Sequence, residues 1–234
     1  MPATFETRLR GHRFGAIERR GKYLLFELDC PDILLVHLGM SGSLSLRDNT
    51  APPLRHDHVI FDLDRSESLC FNDPRRFGVV RLGVIDDLEE LRNVGPDPMT
   101  MNRSVDEWRS QVRHRRTPIK TLLMDQTFIA GIGNIYANEI LFQAGIRPRR
   151  MAARLTRQEL GHLDEAMHSV LARAVDLGGS SISDFRNIDG KLGYFQIHHA
   201  VYDRAGDACP RCDTAVRKIT LGGRSTFYCR SCQR

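Results

Sequence analysis

The sequence predicts an α+β protein of several domains: an antiparallel β domain, then helices, then a small C-terminal ribbon. Three observations carry this. Residues 14 to about 85 hold short apolar runs rich in Val, Ile, Leu and Phe, separated by turn-like clusters. From Ser104 onward, apolar residues recur at helical spacing behind capping sequences. Residues 201–234 hold two C-x2-C pairs.

The β runs are KYLLFEL (22–28), DILLVHL (32–38), HVIFDL (58–63), ESLCF (67–71) and GVVRLGVI (78–85), which read as a sandwich or a barrel. Cys30 and Cys70, in the strand-like stretches LLFELDC and SESLCF, are expected as small core residues. Ser104–Glu107 is a capping box ahead of WRSQVRHRR, and a second helix is expected around IKTLLMDQ (119–126). A third begins near Asn134 and stops at Gly145. A fourth follows the Thr156–Glu159 capping box, puts Leu160, Leu163, Met167, Val170, Leu171 and Val175 on one face, and ends at Gly178-Gly179. The domain boundaries implied are 1–98, 99–200 and 201–234.

With 41% hydrophobic and 27% charged residues in 234, the chain can bury a core and bulk disorder is excluded. No apolar run approaches the ~18 residues of a membrane span, and MPATFETRLR is not a signal peptide. A cytoplasmic location is therefore expected, and the cysteines need an explanation other than disulfides. Cys209/Cys212 and Cys229/Cys232 are separated by sixteen residues, which suits a tetrahedral Zn2+. Two disulfides or a redox C-x-x-C are the alternatives; the compartment argues against the first and the matched pairs against the second. With all four positions cysteine, the zinc is expected to be structural. Residues 201–234 carry seven basic and three acidic residues, most of the chain's net charge of +5. Between the cysteine pairs, AVRKITL and STFY flank Gly222-Gly223-Arg224, a hairpin with an arginine at its tip. A cationic tip on a stiffened ribbon suits a phosphate or groove contact.

Three loops stand out. His37–Gly42 brackets Met40 with glycines, Asn72–Gly78 sets Arg75 and Arg76 beside Phe77, and Ala130–Asn134 is a glycine-rich turn into a helix. An apolar wedge beside cations can enter a base stack, and N–H groups at a helix start can hold a phosphate.

Together, RRGKYLL (19–25), HLGMSGSL (37–44), HDH (56–58), NDPRRFG (72–78), LLMDQTFIAGIGNIYANEIL (122–141), GKLGYF (190–195) and GGRSTFYCRSCQ (222–233) resemble the formamidopyrimidine-DNA glycosylase / endonuclease VIII family over nearly the whole chain. The resemblance implies a β-sandwich, a helix–two-turn–helix domain and a zinc finger that hold damaged duplex DNA, in a base-excision repair enzyme that removes oxidised purines and cleaves abasic sites by β-elimination. It implies a monomer. It implies that Lys22 lies near the lesion phosphate and that His56 or His58 touches the DNA backbone. Met40, Arg75 and Phe77 would fill the hole left by the extruded base. Asn134 and Arg224 would grip the phosphates around the lesion, and Lys120, matching a lysine ahead of the helix–two-turn–helix, would join the DNA-binding residues, with Ser180–Tyr194 as a lid over the extruded base. The family's N-terminal Pro-Glu-Leu-Pro-Glu, which supplies a proline amine and a glutamate acid/base, has no counterpart: Pro2 is followed by Ala3 and Thr4, and Glu6 is the nearest acid. The chain is therefore expected to be N-terminally truncated, with an incomplete β-sandwich and Lys22 as a fallback amine. A damage-binding relative that does not cut, or an unrelated zinc-ribbon interaction protein, are the alternatives.

Overall fold

The computed structural model describes residues 3–179 and 198–234. They form two compact units, 3–93 and 94–179 with 198–234.

The first unit is a sandwich of two antiparallel sheets. Its elements are α1 (Ala3–Leu9) and β1 (Phe14–Arg20), β2 (Tyr23–Leu28), β3 (Asp32–His37), β4 (Ser43–Asp48), β5 (Asp57–Asp62), β6 (Glu67–Asn72) and β7 (Val79–Val84). One sheet has the order β1-β2-β3-β7 and the other β4-β6-β5. Alternation along each strand turns Phe26, Leu34 and Val36 of the first sheet toward Phe61, Leu69 and Phe71 of the second. Phe5 and Leu9 of α1, a helix absent from the sequence expectation, pack on the same core. β1 forms an edge on which Ile17 is exposed, and Phe14 turns inward to within 5.7 Å of Phe26. Cys70 is buried as expected. Cys30 is only half-buried, because it lies in the turn between β2 and β3 and not in a strand.

Register decides where the loops go. His37 pairs with Val79 and Ser43 with Asn72. The chain therefore leaves β3 and enters β7 at one end, and the segments 38–42 and 73–78 cross between sheets side by side. Both loops that the sequence singles out in this unit emerge together.

The second unit contains α2 (Val105–Val112), α3 (Ile119–Leu123), α4 (Asn134–Gln143), α5 (Arg157–Asp176), β8 (Arg217–Leu221) and β9 (Arg224–Tyr228). Both capping boxes are formed, at Ser104/Glu107 and Thr156/Glu159. The core packs Trp108, Ile119, Leu122, Leu123, Ile140 and Leu141 against the α5 stripe. That stripe is Leu160, Leu163, Ala166, Met167, Val170 and Ala174. Val175, expected on it, is 68% exposed. Spacing by three and four residues carries the stripe from Val170 to Ala174, and the small alanine takes the place given to the more apolar valine. The helix around 119–126 is shorter than expected and ends at Leu123, where the Asp125 side chain accepts the Thr127 N–H at 3.0 Å and starts a turn.

The ribbon lies on α4. Gly222 and Gly223, at φ +56° and +71°, close β8 on β9. Phe142 joins Val201, Val216 and Phe227 in a small apolar cluster. Polar bonds surround it: the Phe227 N–H donates to Asn138 Oδ1 at 2.7 Å, and Arg211 Nη1 donates to the Phe142 carbonyl at 3.0 Å. Glu139, buried in α4, accepts the N–H groups of Ala200, Val201 and Tyr202 at 2.8, 3.0 and 2.8 Å. Burial pushes its carboxyl up from the ordinary value against the pull of those donors.

The Glu139 bonds yield a stability test. Glu139→Gln places an NH2 group against one of three converging N–H donors. It is expected to cost about 1–3 kcal/mol, the penalty of a buried unpaired donor, read by urea denaturation of the zinc-loaded protein.

Candidate nucleic-acid interface and metal centre

In the first unit the two crossing loops meet at close quarters. A Cβ on Gly39 (φ +66°) would stand 2.7 Å from the backbone of Phe77 and Gly78, so only glycine allows the approach. Behind them Asp73 is fully buried. It accepts the Ser41 hydroxyl at 2.6 Å, the Gly78 N–H at 2.8 Å and the Arg75 N–H at 3.3 Å. Burial by itself would raise its carboxyl, but Ser41 and the N–H groups of Gly78, Arg75 and Phe77 hold it below the ordinary carboxylate range. This latch leaves the other side chains outside. Met40 is 61% and Phe77 56% exposed, and the Arg75 guanidinium lies 4.8 Å from the Phe77 ring centroid. Two large apolar side chains held in water next to a cation suit insertion into a stacked, polyanionic partner.

The histidines divide. His58 Nε2 lies 2.9 Å from the Asp73 carbonyl, so it braces the loop, while His56 stands beside it at 6.5 Å between ring centroids. Exposed Lys22, in the turn between β1 and β2, is close enough to His37 to act on its charge. Burial first, then the Lys22 charge, holds the His37 imidazole below its ordinary value. Its Nδ1 accepts the Gly39 N–H at 3.0 Å, as a neutral ring does. Glu6 is exposed on α1; Pro2 and Ser180–Tyr194 lie outside the described residues.

In the second unit Lys120, Asn134 and Arg224 come together. Lys120, expected among the DNA-binding residues, is 1% exposed. Its ammonium donates to Asn134 Oδ1 at 2.6 Å, Thr226 Oγ1 at 2.7 Å and the Ser225 carbonyl at 3.1 Å. All three N–H groups are therefore used inside the chain, and Lys120 positions the site without a donor to offer a ligand. Asn134 Nδ2 donates to the same Ser225 carbonyl at 3.0 Å. Burial, then the Arg224 charge, lowers Lys120 to about 8. Asn134 opens α4 behind Gly133, which supplies no side-chain cap, and uncapped N–H groups in the first turn of a helix are suited to an anion. Exposed Arg224 stands beside it on the hairpin.

The turn before α4 is shaped by Gln126, a residue the sequence reading passed over. Its Oε1 accepts the Gly131 N–H at 2.9 Å, and its Nε2 donates to the carbonyls of Met124 and Ile132 at 2.9 and 3.0 Å. Asp73 and Glu139 were missed in the same way. A buried polar residue is identified by its partners, and these lie far along the chain. The one local signal was Asp73-Pro74, a turn-forming pair.

The metal centre is formed by Cys209, Cys212, Cys229 and Cys232, whose sulfurs lie within 4.8 Å of one another. The recorded pairs, 3.8, 3.4 and 3.3 Å, are far longer than an S–S bond of about 2.05 Å and near the ~3.8 Å edge of a tetrahedron with Zn–S of about 2.3 Å. The donor set fits one structural Zn2+, with no ligand position left for water or substrate.

Three family models match the chain. The formamidopyrimidine-DNA glycosylase N-terminal domain covers residues 1–80, the formamidopyrimidine-DNA glycosylase H2TH domain 94–186, and a zinc finger found in FPG and IleRS 206–234. The formamidopyrimidine-DNA glycosylase of Laribacter hongkongensis is 45% identical over 97% of this chain and 84% of its own length. That of Thioalkalivibrio sulfidiphilus is 45% identical over 100% and 87%. Among solved structures, a complex between the Lactococcus lactis Fpg and DNA containing an abasic site superposes with a TM-score of 0.92 at 33% identity, covering 99% of this chain and 86% of that one. The N-terminal model matches from residue 1, so the expected truncation is not supported. The likenesses are to glycosylases, and the non-cutting relative finds no support in them.

Two outcomes are expected from the second unit. A strong chelator should remove one zinc per chain and unfold the ribbon, since such sites contribute about 10–16 kcal/mol to folding; zinc release and near-ultraviolet circular dichroism read this together. The second concerns Lys120. Its folded pKa lies below the unfolded one, so the cost of the buried charge is full below pH 8 and is relieved as the proton leaves between about 8 and 10.5. The stability of the wild type relative to Lys120→Met should therefore rise by roughly 3 kcal/mol across that window in denaturant titrations. A flat difference would mean that the three hydrogen bonds outweigh the burial.

Proposed function

The chain belongs to the formamidopyrimidine-DNA glycosylase family, and from that premise we propose that it excises oxidised purines such as 8-oxoguanine and formamidopyrimidine from duplex DNA and cleaves the abasic product by β-elimination. One observation carries the reading: the latch at Asp73 that holds Met40, Arg75 and Phe77 outward on adjoining loops. Chemistry at a glycosidic bond requires the nucleotide to leave the stack, and a wedge lowers the cost of the vacancy. Arg75 faces the unpaired partner base, and Lys22 with His56 contacts the backbone near the lesion. Asn134 and Arg224 grip phosphates, which supplies affinity without sequence preference and suits inspection of every site. Lys120 acts behind them. The solved complex with abasic-site DNA supports this partner.

The protein acts as a monomer in the cytoplasm of a bacterium. The relatives named above are bacterial, and among the described residues no helix is long and apolar enough to cross a membrane.

The test combines cutting with binding. Incubation with 8-oxoguanine duplex should release the base and nick the strand, and borohydride on an abasic duplex should trap a covalent complex whose amine is mapped by peptide mass. Phe77→Ala should keep undamaged-DNA affinity within about threefold while lowering excision at least tenfold, the cost of about 1.4 kcal/mol or more at the extrusion step. Binding of abasic DNA with neither trapping nor excision would overturn the enzymatic reading. Equal loss of binding and excision in Phe77→Ala would overturn the wedge.

A further inference from the structure

The sequence run Arg113-His114-Arg115-Arg116, between α2 and α3, is not used by the site described above, and all four residues are exposed. The fold brings a second basic stretch to it. The Ile119 N–H donates to the Arg150 carbonyl at 2.7 Å, Ala152 to Thr117 at 3.0 Å and Ala153 to Arg115 at 3.1 Å, with a β-bridge between Pro118 and Met151. This pairing draws exposed Arg149 and Arg154 alongside residues 113–118. Among the described residues, the ion pairs recorded for neighbouring side chains are Arg150 with Glu159 and Arg157 with Asp106; none is recorded for Arg113, Arg116, Arg149 or Arg154. Four guanidinium groups without acids, on two strapped loops, are a concentrated positive field.

The patch continues the phosphate grip. Arg116 is four residues from Lys120, so their Cα atoms are at most about 14 Å apart, the length of about four base-pair steps of 3.4 Å. The Lys120 N–H itself bonds the Pro148 carbonyl at 3.4 Å, next to Arg149. Lys120 in turn holds Asn134 and the hairpin of Arg224. Further cations thus lie within a distance of a few base-pair steps of a polyanion held at Asn134 and Arg224. The patch holds no exposed aromatic anchor, as a protein partner would use; its one exposed large apolar residue is Met151.

We propose that Arg113, Arg116, Arg149 and Arg154 bind the phosphates of duplex DNA on one flank of the lesion, extending the footprint beyond the Asn134–Arg224 grip. The proposal rests on the DNA-binding function above. The flank contact is sequence-independent, and it adds affinity and salt dependence without touching the damaged base.

The test uses the zinc-loaded protein with Arg116→Gln, Arg149→Gln and Arg154→Gln combined, leaving Arg115 on the Phe128 ring and Arg150 on Glu159. Zinc content and thermal unfolding should match the wild type. On an abasic-analogue duplex with about ten base pairs on each side, the slope of log K against log salt should fall by about 2–3, at about 0.9 per lost phosphate contact. On a duplex trimmed to about two base pairs on one particular side, wild type and variant should bind alike. An unchanged slope on the long duplex overturns the proposal, and any acidic-protein or solvent role for the patch would give that result. An equal loss on the long duplex and on both trimmed ones overturns the flank assignment. Failure of the wild type to bind any duplex would sink the DNA reading itself, a result distinct from both.

Discussion

An ammonium group taken out of water must have its donors satisfied, and in this protein that requirement joins two elements that are far apart in sequence. Lys120 finds its acceptors on the first residue of α4 and on two consecutive residues of β9. The bonds can form only when the zinc ribbon is seated on the helix. The amide of Asn134 and the hairpin that carries Arg224 are therefore set by a buried residue that spends its own donors inside the chain. Zinc closes the ribbon, Asn138 and Glu139 fasten it to α4, and the buried cation fixes the tip.

The sandwich applies the same principle with the opposite charge. Asp73 gathers a hydroxyl and backbone N–H groups, and its carboxyl stays ionised in the interior because those donors compensate for the lost water. The exposed ends of the two loops are thereby held in place without being packed. An apolar wedge can be presented to a partner only if something other than its own burial orders it. In both units the ordering group is polar, buried and saturated, and the candidate functional groups lie nearer the surface.

Much of the fold was legible because its signals are local. Strand runs, both capping boxes and the paired glycines of the hairpin each specify structure over a few residues, and cysteine spacing alone identified the metal centre. Errors came where a local signal competed with packing. Val175 outranks Ala174 in hydrophobicity, yet helix geometry brings Ala174 to the core. Cys30 looked like a strand residue and lies in a turn. The α1 helix carries its apolar contacts on Phe5 and Leu9, too few to announce an amphipathic element in advance.

For the site, the sequence by itself determined which residues could do chemistry: Met40, Arg75 and Phe77 on glycine-flanked or turn-forming loops, Asn134 at a helix start, Arg224 at a hairpin tip and four cysteines at ligand spacing. Only the tertiary structure decided that Lys120 is an internal strut, that Asp73, Gln126 and Glu139 hold the loops, and that two arginine runs some forty residues apart form one patch. The reason is physical. An exposed group is constrained by its own neighbours in the chain, whereas a buried polar group is defined by partners that folding brings from a distance.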